Sequence, residues 1–254
     1  MVRIYVKGAE LISIIISIMT VVILKVIFPY YKLRRLIKKE GHDFASVKRE
    51  TKLWLEEFEC FTEKFNYKLV YLTKSAGSIG GTALYGKFIL IQGDWYKCRC
   101  KDKKNIWKTA MYTTICHELG HKDNEPKGYV LAFNKYRRFT NHCREVRADL
   151  YSKYCLINIL DYSKEDIIAA FELKSSESYF KNKDEDSHPS WNTRINIISR
   201  YDGFNEDVIK EIAGKLKVSE SSKHYIDMIN WYQTHDKIRK DFKYNFYVKE
   251  NKAI

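Results

Sequence analysis

Proline is scarce, with three in 254 residues, so helices meet almost no breakers. The six cysteines (Cys60, Cys98, Cys100, Cys116, Cys143 and Cys155) form no CxxC pair, which excludes the usual framework of a structural zinc site. Cys98 and Cys100 stand too close for easy mutual bridging, and reduced thiols are the simplest expectation. The glycine-rich stretch 75–82 leads into no Gly-Lys-Ser or Gly-Lys-Thr, so it is not a phosphate loop. No internal repeat is present. Acidic residues run short, 32 against 45 basic, leaving a net charge of +13. Such a surplus suits nucleic acid or an anionic membrane surface. The lysines, however, are spread along the chain with no stripe on one helix, and Lys, Asn, Ile and Tyr are all abundant. Composition bias accounts for the charge equally well, and a nucleic-acid partner is not expected.

What is present is globular: 45% hydrophobic and 30% charged. One hydrophobic run stands apart. Residues 11–28, LISIIISIMTVVILKVIF, are 18 residues with a single charge, Lys25. As a helix they span about 27 Å, enough for a bilayer core. No small-residue cleavage site follows, so a transmembrane anchor over residues 1–30 is expected rather than a signal peptide. Arg3 and Lys7 precede the run, offset by Glu10; Lys32, Arg34, Arg35, Lys38 and Lys39 follow it. The heavier cluster predicts a single-pass protein at the cell membrane, with the remainder in the cytoplasm.

Beyond the anchor, spacing predicts a helix over 43–65, strands over 67–72 and 84–92, and helices over 105–122, 129–139 and 141–160. Ser163 opens a further helix, with Asp166 three residues on. Residues 175–187 read as a surface loop, and Pro189 as the first residue of a helix ending near Arg200. Two or three charged helices follow.

The chemistry concentrates in His117-Glu118-Leu119-Gly120-His121. Helical residues i and i+4 share a face, so both imidazoles can meet one metal ion. Glu118 lies about 100° around the helix, badly placed as a ligand but able to take a proton from a zinc-activated water. A catalytic zinc needs a third ligand and an open position. Glu145 and His142 are the candidates, both in Asn-His-Cys-Arg-Glu-Val-Arg-Ala-Asp. Glu145 is favoured, because Asp149 one turn on can accept the N–H of His117 or His121 and orient it. Cys116 and Cys143 flank these positions and are expected to pack.

His-Glu-Leu-Gly-His followed by Glu-x-x-Ala-Asp resembles the gluzincin zinc peptidases, in particular the HtpX, Oma and CAAX prenyl protease family. His188-Pro189 with Arg194-Ile195 fits that family's HPxxxxRI motif. The resemblance spans residues 75–200. It implies an α+β, mostly helical zincin-like metallopeptidase domain with a small sheet over 31–203, followed by a charged helical extension over 204–254. The implied activity is a membrane-anchored endopeptidase using one Zn2+ and acting on a protein or peptide. The glycine-rich turn over 75–82 and the strand over 84–92 look like the family's substrate-edge strand, with a substrate expected to add to the edge of the strand over 84–92. His188 is implied to lie by the active site, donating to the oxyanion, or else to order the helix that follows; Arg194 is expected to pair with Glu145, Asp149 or Glu118. The short gap between the first two motifs also resembles the repressor-cleaving ImmA/IrrE family, and the BlaR-type sensor peptidases are a third relative. A basic membrane-tethered regulator without catalysis is the alternative from another class.

Overall fold

A computed structural model describes residues 13, 16, 19, 20, 28–39, 44–72, 80–83, 88–93, 95, 104–122, 135–178 and 182–234. The chain divides into two compact units, Met1–Lys104 and Asn105–Ile254. Among the described residues the chain is mostly helical with one small sheet, an α+β class.

The first unit holds helices α1 (Phe28–Lys39) and α2 (Phe44–Lys64) and strands β1 (Lys68–Leu72), β2 (Gly80–Ala83) and β3 (Phe88–Gln92). Leu33 and Ile37, one turn apart on α1, bury with Val47, Val70 and Leu90. On α2 the buried positions Val47, Thr51, Leu55, Phe58 and Thr62 recur every three or four residues, the stripe that faces the sheet. Thr51 Oγ1 accepts from Tyr71 N at 2.8 Å, tying α2 to β1. Asn66, at φ 63°, lets the chain turn out of α2 into β1.

The sheet order is β1-β3-β2, with β1 parallel and β2 antiparallel to β3. Ile89, Leu90 and Ile91 are all fully buried, as a strand covered on both faces requires. This corrects the expected substrate edge. The strand that ends at Gln92 is central, paired on both sides, and the glycine-rich stretch supplies an edge strand, β2. Glycine's weak strand preference hid that pairing, which comes from the partner strand rather than from local propensity.

The segment 11–28 falls outside the described residues except at Ser13, Ile16, Met19, Thr20 and Phe28. No described helix is long and apolar enough to cross a membrane.

The second unit is helical: α3 (Lys104–Lys122), α4 (Lys135–Asn158), α5 (Lys164–Ser176), α6 (Trp191–Arg200), α7 (Glu206–Lys215) and α8 (223–234). Every residue of α3 from 109 to 120 is buried, so this helix is the core of the unit. Ser152 Oγ on α4 donates to Thr113 O of α3 at 2.9 Å. Where two helices were expected, α4 runs unbroken through Phe139, Thr140 and Asn141, because Phe139 and Thr140 are buried and hold the junction helical; residues 129–134 lie outside the described ones. Ser163 caps α5 reciprocally, accepting from Asp166 N at 3.0 Å and donating to Asp166 Oδ2 at 2.7 Å. Helix α6 starts later than expected. Ser190 is its N-cap, accepting from Thr193 N, so Pro189 precedes the helix. Past residue 203 the chain still builds core, with Phe204, Val208, Ile209, Ile212, Val218 and Met228 buried.

Candidate metal centre

The two histidines sit near the C-terminal end of α3, one turn apart, with ring centroids 4.6 Å apart and planes at 86°. Their Nε2 atoms approach to 3.0 Å. Helix α4 supplies Glu145, whose Oε2 lies 3.3 Å from His117 Nε2 and whose Oε1 lies 3.4 Å from His121 Nε2. The two helices come this close at Gly120. A Cβ there would stand 3.1 Å from Ala148 Cα and 3.1 Å from Tyr151 Cδ1. Arg147 Nη1 donates to Gly120 O at 3.0 Å and closes the same junction.

Asp149 fixes the tautomer of His117. Its Oδ1 is 2.8 Å from His117 Nδ1. Burial pushes the Asp149 carboxyl up, but the Arg194 guanidinium and then His117 outweigh this and hold it far below the usual carboxylate range. An ionised carboxylate only accepts, so Nδ1 carries the hydrogen and Nε2 presents a bare lone pair. Arg194 grips the carboxylate twice, Nε to Oδ2 at 2.7 Å and Nη2 to Oδ1 at 2.6 Å. Its Nη2 also comes within 3.5 Å of His117 Nδ1. Both atoms are donors, so they share Asp149 Oδ1 rather than bonding each other. The Arg194 guanidinium stacks on Trp191, 4.3 Å from the ring centroid.

The donor set fits a divalent cation. His117, His121 and Glu145 each offer one ligand atom, and these lie within 4.8 Å of one another. A tetrahedral ion with bonds of about 2.0 Å separates its ligand atoms by about 3.3 Å, close to the contacts given above. Glu145 Oε2 is buried and has no hydrogen-bond partner. Burial raises the Glu145 carboxyl, yet the two imidazoles overcome it and hold the group well below its ordinary value. This buried group can therefore hold a metal ion. His142 is not part of it: its Nε2 donates to Glu185 O at 2.7 Å.

Glu118 is buried in α3, directly after His117. His188 arrives on the loop before α6, with half its side chain exposed and Nε2 3.4 Å from Glu145 Oε2. Cys116, Cys143 and Cys155 are buried free thiols. Burial pushes the Cys116 and Cys143 thiols well up, which leaves them unreactive. Cys60, Cys98 and Cys100 fall outside the described side chains.

Lys174 carries no signal in the sequence: it stands just before the polar stretch 175–187, yet it is buried in α5. Its Nζ lies 5.0 Å from the Phe171 ring centroid and 5.3 Å from that of Trp191, with Thr113 Oγ1 at 3.4 Å. Burial, and then the neighbouring Arg194, push it down to about 7, against the pull of Asp149, Glu118 and Glu145. Trp191 had a signal: it stands three residues before Arg194 on one helix, the spacing of a face-sharing pair.

Comparison with protein-family models, curated proteins and solved structures finds no match to this chain.

Proposed function

We propose that the chain is a membrane-anchored zinc metalloendopeptidase of the gluzincin type, with a zincin-like fold around α3 and α4 and the catalytic part on the cytoplasmic side. The observation that carries this reading is the convergence of His117 Nε2, His121 Nε2 and a Glu145 oxygen, with the tautomer of His117 set by Asp149. Two imidazoles and one carboxylate are the donor set of a catalytic rather than a structural zinc site, which uses four protein ligands. Zinc held there supplies Lewis-acid polarisation of a substrate carbonyl and lowers the pKa of a bound water to about 7.

The chain's own groups do the rest. Glu118 takes the proton of the attacking water and passes it to the leaving amine as the peptide bond breaks. Ser187 Oγ lies 2.8 Å from His188 Nδ1. With the hydroxyl donating there, the ring hydrogen sits on Nε2, the atom turned toward Glu145, and is available to the developing oxyanion. Asp149 and Arg194 hold His117 in its ligating tautomer.

The test measures bound zinc and cleavage of an unfolded polypeptide in the same preparations. Glu118→Gln is expected to keep zinc and lose cleavage, since an amide cannot take the proton. Glu145→Ala is expected to lose both. A fully active Glu118→Gln would end the assignment of the base, and zinc retained by Glu145→Ala would end the assignment of the ligand.

A further inference from the structure

The loop before α6 has almost no secondary structure of its own, yet three of its successive carbonyls are each gripped by a side chain of α4. Arg138 Nη2 donates to Asp184 O at 2.8 Å, His142 Nε2 to Glu185 O at 2.7 Å, and Asn141 Nδ2 to Asp186 O at 3.0 Å. Residues 138, 141 and 142 share one face of the helix by their spacing. The far end of the loop is fixed as well, by Ser190 N donating to Asp184 Oδ1 at 2.6 Å and Glu185 N donating to His188 O at 2.9 Å. His188 follows the third gripped carbonyl by two residues.

Glu145 stands three and four residues after His142 and Asn141, on the same face of the same rigid helix. One element thus carries both the carboxylate of the metal group and the pegs of the loop that brings His188 to within 3.4 Å of it. A site is held to the tolerance chemistry needs when its supports sit on helices rather than on free loops.

We propose that Arg138, Asn141 and His142 form a ladder of positioning residues that seats the 182–188 loop and so sets the distance from His188 to the metal group. The consequence for catalysis rests on the metallopeptidase reading; the seating does not. His142 is accordingly a peg rather than a ligand, and its hydrogen must sit on Nε2, because a carbonyl only accepts.

Seating is read by amide exchange over 185–190 and by trypsin cleavage after the exposed Lys183. In the full chain, Asn141→Ala and His142→Ala are expected to raise the tryptic rate roughly tenfold with the helical circular dichroism unchanged. His142→Gln, whose amide keeps a donor, is expected to restore most of the protection. Asn141→Ala removes a bond at the surface and keeps the test open if His142→Ala fails to fold. With zinc loaded, His142→Ala is expected to lower kcat with little change in KM, and the double variant His142→Ala/His188→Ala to be no slower than His188→Ala alone. Unchanged exchange and proteolysis in both single variants would overturn the ladder, and so would a fully multiplicative loss of kcat in the double variant. If the wild type binds zinc but cleaves nothing, the peptidase reading fails, and exchange alone then decides: protection kept in the variants sinks the seating, protection lost sustains it.

Discussion

Asp149 is a fully buried charge that accepts from His117 and twice from Arg194. Removing one partner of such a buried pair costs about 3–5 kcal/mol, while removing both together costs far less. Asp149→Asn is therefore expected to weaken zinc binding by roughly 10–100-fold through His117 and also to destabilise the fold. Asp149→Asn/Arg194→Met should recover much of the stability but not the affinity. Zinc titration beside urea unfolding separates the two, and equal recovery of both would deny Asp149 its orienting role. Lys174 makes a prediction of opposite sign. Its folded value of about 7 lies below the ordinary 10.5. Between these values the unfolded chain holds a proton that the folded chain lacks, so folding gains as pH rises through that window. Below it both states are charged and the penalty is full and constant. Lys174→Met should accordingly be more stable than wild type near neutral pH by roughly 1–3 kcal/mol. That advantage should shrink toward about pH 9. Urea unfolding at both pH values checks this, and a pH-independent difference would mean that Lys174 stays charged in the fold.

At the scale of elements, the α3–α4 junction decides whether the donors can meet. Gly120 inside a helix costs about 0.5–1 kcal/mol against alanine in propensity, so Gly120→Ala would normally stabilise. Here the new methyl would meet the Ala148 backbone at 3.1 Å, and a backbone atom of a packed helix cannot swing aside as a side chain does. Overpacking of that kind costs about 1–3 kcal/mol and wins over the propensity gain. Gly120→Ala is expected to lower both the melting temperature and zinc affinity, because the histidines ride on α3 and Glu145 on α4. A stabilised variant with unchanged zinc affinity would show that the two helices can part without disturbing the group.

For the whole molecule, the distribution of charge around residues 11–28 sets the expected topology. Five basic residues between 32 and 39 follow the run, against Arg3 and Lys7 before it. A reporter fused after Ile254 should read as cytoplasmic. An extracytoplasmic signal would reverse the orientation and place all six cysteines where disulfides form. The helices after residue 203 belong to this scale too. Arg147, which holds Gly120 O, lies 5.4 Å from the Trp231 ring centroid, so the last described helix packs on the residue that closes the α3–α4 junction.

Local spacing alone determined that His117 and His121 share a face, that α2 and α3 are helices and that Ser163 opens α5. These depend on interactions within a few residues, and a helix imposes its period whatever surrounds it. Tertiary structure decided the rest. The third donor comes from a different helix; the spacing of Glu145 and Asp149 favours Glu145 over His142, but which side chain reaches the histidines depends on how α4 packs, and the contact of His142 with Glu185, 43 residues away, takes that imidazole elsewhere. The same holds for β3, whose edge is occupied by a glycine-rich strand with no local strand preference. It holds for Lys174 as well, whose burial is imposed by Phe171, Trp191 and the charged residues around Asp149. Distant partners fix direction and burial, and only folding brings those partners to the same place.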